Sequence, residues 1–97
     1  MTFKLIFNED SKDQFLRLEQ SSKKSAFKAV CKTLGLMETN LRHPSLNTHE
    51  FSSLQGPNGE KVFESYAQNR TPGAYRIFWY YGPKAREITV AAIVPHP

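Results

Sequence analysis

The chain has 97 residues, the usual size of one domain, and no tract polar enough to act as an interdomain linker, so a single domain over 1–97 is expected. One cysteine excludes a disulfide framework and a CxxC site, and no apolar run approaches the ~18 residues that a membrane span needs. Thirteen Lys and Arg against nine Asp and Glu give a net charge of +4, a mild bias towards polyanions or an acidic partner. Charges at Lys4, Glu9 and Asp10 fall where a signal peptide would be apolar, so a cytoplasmic protein is expected.

In chain order, Thr2 to Phe7 alternates with a period near two and predicts a first strand. Ser11-Lys12-Asp13-Gln14 has the spacing of a capping box, which predicts a helix starting there with Phe15 and Leu18 on its buried stripe. A short break over Gln20 to Ser22 leads to a second helix, folded back on the first as a hairpin. There Phe27, Val30, Cys31 and Leu34 recur at i, i+3, i+4 and i+7, with Gly35 in the place of a C-terminal cap. Cys31 is thereby expected in the core. Lys24, Lys28 and Lys32 line another face, as a solvated surface or as a nucleic-acid contact.

Met37 to Asn47, interrupted by Pro44, predicts an irregular crossing to a sheet. Strands are predicted over 49–54, 61–67, 74–81 and 87–94, separated by turn-forming Gly56-Pro57-Asn58-Gly59, Asn69 to Gly73, and Gly82-Pro83. Connections this short require antiparallel neighbours. The expectation is a two-layer α+β domain of order β-α-α-β-β-β-β: an N-terminal strand, a two-helix hairpin and a mostly antiparallel sheet.

Along the strand 74–81, Tyr75, Ile77, Trp79 and Tyr81 point one way and Arg76, Phe78 and Tyr80 the other. If the helices cover Ile77 and Trp79, Arg76 stands on the open face between aromatic neighbours. A guanidinium there can hold a phosphate by two parallel hydrogen bonds while aromatic rings offer platforms to unpaired bases, or it can be an ordinary exposed Arg beside packing aromatics. His43, His49 and His96 are the side chains best suited to proton transfer near neutral pH, unless they are structural. Motifs for metal, nucleotide-phosphate or dinucleotide binding are missing, and no cofactor or metal is expected.

The element order, the segment Arg42 to Phe51 leading into Leu54-Gln55-Gly56, the run Tyr75 to Trp79 and the closing Ile88 to His96 together resemble the RelE/ParE superfamily of toxin–antitoxin toxins, specifically its RelE-type messenger-RNA endonucleases. The resemblance spans nearly the whole chain. It implies a toxin that cuts messenger RNA in the ribosomal A site by metal-independent attack of a ribose 2′-hydroxyl, inhibiting translation, and that a cognate antitoxin silences. It places Arg76 as the residue stabilising charge on the phosphate, His49 as base with Glu50 as the other candidate, and His96 as the acid that protonates the leaving 5′-oxygen. Tyr80, Phe78, Arg42 and His43 would contact RNA. The stretch Gly56 to Thr71 is longer than in compact relatives, and RelE uses Lys, Arg and Tyr where this chain offers His. ParE members of the same fold poison DNA gyrase instead, and an inactive member would only bind an antitoxin; both remain open as alternatives.

Overall fold

A computed structural model describes residues 2–96. Strand β1 (Lys4–Phe7) is followed by helices α1 (Glu9–Gln20) and α2 (Lys24–Thr39), a 3-10 turn (Pro44–Leu46), and strands β2 (His49–Gln55), β3 (Lys61–Tyr66), β4 (Tyr75–Tyr81) and β5 (Glu87–Pro95). The five strands form one sheet of order β1-β5-β4-β3-β2. β2 to β5 are an antiparallel meander, and β1 lies parallel to β5 across the helical crossover, with Lys4 opposite Glu87 and Phe7 opposite Val90. The expected α+β architecture is the one formed.

The two helices cover one face. Leu18 of α1 and Ala26, Val30, Leu34 and Met37 of α2 pack with Tyr75, Ile77, Trp79, Ile88, Val90 and Ile93 into the main core, where Val30, Met37, Ile77, Ile88 and Val90 are fully buried. Trp79 sits at its centre, stacked on Phe63 and donating its indole N–H to Ser65 Oγ at 2.9 Å, which satisfies the one polar atom it buries. Ser65 Oγ in turn lies 2.7 Å from Thr48 Oγ, tying the start of β2 to the core.

The stripe of α2 is rotated from the one predicted. Ala26, Val30, Thr33, Leu34 and Met37 are its buried residues, and Cys31, one position and so about 100° past Val30, is exposed rather than in the core. Partial burial and the nearby Glu19 carboxylate push the Cys31 thiol pKa up, so the thiolate form is disfavoured. Gly35 does not end the helix, which continues to Thr39 with Asn40 as its cap. Lys24, Lys28 and Lys32 are exposed.

At α1 the cap is Asn8, whose side chain accepts from the Ser11 N–H, and not Ser11 itself. The predicted capping-box residues serve the sheet. β1 ends at Phe7, opposite Val90, so the rest of β5 has no strand on that side. The helix adds partners there: the Ser11 hydroxyl, fully buried, joins the Asn8 N–H on the Val90 carbonyl, donating at 2.7 Å, and the Gln14 side-chain carbonyl accepts from the Ile93 N–H at 2.7 Å. A polar side chain that completes an edge strand locks helix to sheet more specifically than apolar contact alone.

The face away from the helices is not bare. Phe78, Tyr80 and Val62 are buried there against Phe51, Ala91, Ala92 and Val94, and the Phe51 ring meets Phe78 edge-on at 4.9 Å. Two register shifts, between Glu50 and Gln55 of β2 and between Phe78 and Trp79 of β4 against β5, interrupt the ladders beside this cluster. Bulges of this kind increase the local twist of a sheet. Phe78 and Tyr80, expected as open platforms for bases, are each 9% exposed.

Replacing Gln14 by Leu strands the buried Ile93 N–H and should cost about 1–3 kcal/mol, whereas Cys31→Ser on the exposed face should change stability by less than about 0.5 kcal/mol; chemical denaturation of both variants checks the pair.

Candidate active site on the helix-free face

Alternation along β4 delivers Arg76 to the face opposite the helices, since its neighbours Tyr75 and Ile77 belong to the helix-covered core. The ladders then set what surrounds it. His49 of β2, Glu64 of β3 and Phe78 of β4 share one rung, and Tyr66, Arg76 and Val94 share the next. Glu64 is therefore the diagonal neighbour of Arg76 and the direct neighbour of His49.

Side-chain contacts follow that placement. The Arg76 guanidinium lies over the Tyr66 ring, 3.7 Å from its centroid, and its Nη1 donates to the Gln68 carbonyl. Its Nε faces Glu64 Oε2 at 3.6 Å, too long for a hydrogen bond, and that N–H is buried without a hydrogen-bond partner. The other Glu64 oxygen, Oε1, lies 2.7 Å from His49 Nε2, while His49 Nδ1 lies 2.8 Å from the Asn47 carbonyl. Both ring nitrogens thus face acceptors. Glu64 and Arg76 are 6% and 7% exposed, but His49 is exposed at the edge strand. The cluster reads outward as a buried cation, a buried carboxylate and an accessible imidazole.

Gln68 holds the cluster from the far side. Its backbone carbonyl takes Arg76 Nη1, and its side-chain carbonyl accepts from the Tyr75 N–H at 3.2 Å, so the β3–β4 connection is fixed against the strand that carries the arginine.

The remaining candidates are distributed as follows. His96 continues the β5 ladder, donating its backbone N–H to the Ala74 carbonyl at 2.7 Å. By register it lies two residues past Val94, the partner of Arg76, which makes the two diagonal neighbours with Cα atoms about 7–8 Å apart. Glu50 pairs with Phe63, whose ring stacks on Trp79, so alternation puts it on the other face from His49 and Arg76. Arg42 and His43 line a separate cleft of about 780 Å³ with Phe3, Trp79 and Tyr81, beside the opposite end of β4. His43 Nδ1 there accepts from the Ser45 N–H at 3.1 Å and caps the 3-10 turn, a structural use of that imidazole.

Glu64 and Tyr66 were not among the residues singled out from the sequence. The available signal was the alternation Val62, Glu64, Tyr66 along β3, which places an acid among apolar and aromatic neighbours on one face; an acid in such company needs a cationic partner. Among the described residues no group of three or more His, Cys, Asp or Glu side chains converges as a metal site.

No protein-family model matches the chain, and no curated protein matches it. Solved structures do. A YoeB/ParE toxin from Agrobacterium tumefaciens superposes with a TM-score of 0.70 at 9% identity, covering 98% of this chain and 100% of the other. The YoeB–YefM complex from Staphylococcus aureus gives 0.67 at 12% identity, with 100% of both chains covered. The archaeal RelE–RelB complex from Pyrococcus horikoshii OT3 gives 0.66 at 14% identity, covering 98% of this chain and 96% of the other. Similarity over whole chains gives this protein the fold of the RelE/ParE toxin superfamily.

Proposed function

We propose that this protein is the toxin of a toxin–antitoxin pair and cleaves ribosome-bound messenger RNA by attack of a ribose 2′-hydroxyl on the adjacent phosphate. The observation that carries the reading is the convergence of Arg76 with His49, through Glu64, on the sheet face that the helices leave uncovered. The fold it shares with YoeB and RelE structures supports the same assignment, and the YefM and RelB complexes among them support an antitoxin as partner.

In this mechanism Arg76 stabilises the charge that builds on the phosphate oxygens as the 2′-oxygen closes on phosphorus, the largest contribution in most such reactions. His49, the accessible imidazole of the cluster, takes the 2′-hydroxyl proton once its Nε2 leaves Glu64. His96, diagonal to Arg76 on the strand end, gives a proton to the departing 5′-oxygen. Glu50 faces away and is not assigned the proton. Of the proposed RNA-contacting groups, Arg42 and His43 lie in the second cleft, where they would meet RNA remote from the scissile bond. Phe78 and Tyr80 act from beneath the site as its packed floor.

One observation favours the second reading, a family member that binds a partner without cutting RNA: Arg76 is only 7% exposed and its guanidinium already meets Gln68, Tyr66 and Glu64. The two readings separate on induction of the protein in bacteria. A nuclease arrests growth and leaves discrete cuts in translated messages, read by primer extension, whereas a member that only binds its partner leaves growth unchanged and messages whole; a change in plasmid supercoiling with intact messages would instead mark a gyrase poison.

Arg76→Ala removes the cation facing a buried carboxylate and should destabilise the fold by about 3 kcal/mol, measured by chemical denaturation, so loss of toxicity in that variant needs a folded companion. Arg76→Lys keeps the charge and loses the guanidinium fork; it should stay folded and cut ~10²-fold more slowly in a ribosome-programmed cleavage assay. His49→Asn and His96→Gln should each slow the same assay by ~10²-fold, and near-normal rates would remove them from the proton-transfer roles.

A further inference from the structure

The reading of Arg76 as the phosphate-binding residue leaves a difficulty that the structure itself poses. A carboxylate stands at the edge of the guanidinium where a phosphate oxygen would have to sit. Arginine binds phosphate through a pair of N–H groups, and three features show which pair is left. Nη1 is committed to the Gln68 carbonyl, one face of the guanidinium plane is covered by Tyr66, and Nε, though buried, has no hydrogen bond. Among the described residues the anion against that edge is Glu64 Oε2, at ion-pair distance but beyond hydrogen-bond reach.

We propose that Glu64 is a charge gate on Arg76. In the free protein its carboxylate neutralises the guanidinium and occupies His49, and an incoming phosphodiester takes its place at the Nε edge. The half-made contact is what such a gate requires. A bond at full strength would resist displacement, whereas an Nε–H with no hydrogen bond gains one when a phosphate oxygen arrives. Displacement also frees His49 Nε2, which Glu64 Oε1 holds at 2.7 Å, so phosphate binding and release of the imidazole are one event. Glu64 is thus a positioning residue, acting through Arg76 and His49. Its negative charge holds down the affinity for any phosphate, and a message presented with its scissile phosphate already in place overcomes the barrier more readily than free RNA.

The test is titration of inorganic phosphate into the full-length protein, followed by the Arg76 Nε–H resonance in ¹H–¹⁵N spectra. Glu64→Gln removes the charge and keeps an oxygen for His49; it should bind phosphate at Arg76 about tenfold more tightly than wild type or better. Glu64→Asp keeps the charge and should stay within about twofold of wild type. Equal affinity in wild type and Glu64→Gln, the same tightening in Glu64→Asp, or no response of the Arg76 resonance in any of them overturns the gate. A measurement on the wild type alone guards against a variant that does not fold: at high phosphate the Glu64 side-chain carboxyl ¹³C resonance should move together with Arg76 Nε–H, and a Glu64 signal that stays fixed while Arg76 responds overturns it too. None of these readouts requires RNA cleavage. Phosphate binding gated by Glu64 in a protein that cuts no message would retire the nuclease reading alone, and cleavage by a protein whose Arg76 ignores Glu64 would retire the gate alone.

Discussion

An arginine that is only 7% exposed is not left to water, and much of the sheet follows from how Arg76 is accommodated. Taking a charge out of solvent is costly unless it is answered, and here a carbonyl, an aromatic face and a carboxylate answer the charge from three positions in β3 and the connection after it, while the Nε–H is left without a hydrogen bond. Those partners hold only in one register. A slip of one residue between β3 and β4 would turn Glu64 and Tyr66 to the helix side and bring Phe63 and Ser65 against the arginine. Trp79 imposes the same register from the other face, since its indole needs Ser65. One strand pairing therefore serves both the main core and the candidate site.

The helix hairpin is fixed with comparable economy. It buries an apolar stripe, which could slide, but Ser11 and Gln14 bond backbone atoms of β5 just beyond the point where β1 stops. β5 is also the strand that ends beside Arg76 and carries His96. The docking of α1 thus sets the position of the strand on which a proposed proton donor rides, from the opposite face of the sheet.

Element types, their order and the turn chemistry were legible in the sequence because they depend on local periodicity and on Gly, Pro and Asn at reversals, such as Gly59 with φ of 82°. Alternation tied the side on which Arg76 emerges to that of Ile77 and Trp79, and the condition set on the sequence, that these two face the helices, is met in the core. Cys31 was misread since the stripe Phe27, Val30, Cys31, Leu34 and the true one, Ala26, Val30, Leu34, Met37, share two members and differ by a rotation that only tertiary packing decides. Ser11 and Gln14 matched a cap by spacing, but a neighbouring strand edge offered them stronger use while Asn8 was at hand to cap the helix. Glu64 stayed hidden because its meaning comes from two partners, 15 residues before it and 12 after it in sequence, that only the ladder brings alongside.

The burial of Phe78 and Tyr80 bears on how such a site would choose its substrate. Among the described residues, the aromatic side chains near Arg76 are mostly spent on packing: Phe78 is buried in the face and one side of the Tyr66 ring is covered by the guanidinium, so little ring surface beside the phosphate position is left for stacking a base. Tyr81, half exposed, lies at the other end of β4, about 17 Å along the strand, beside the cleft that holds Arg42 and His43. A site with a cation and proton-transfer groups but little base platform has more chemistry than reading. Stacking contributes about 1–3 kcal/mol per base in proteins that bind single strands unaided, and without it affinity for free RNA should be low. Under the proposed function the geometry of the message must then be supplied from outside, by a scaffold that splays the scissile nucleotides and presents the phosphate to Arg76, and dependence on the ribosome becomes a consequence of how the aromatic residues of this sheet are spent on its own packing.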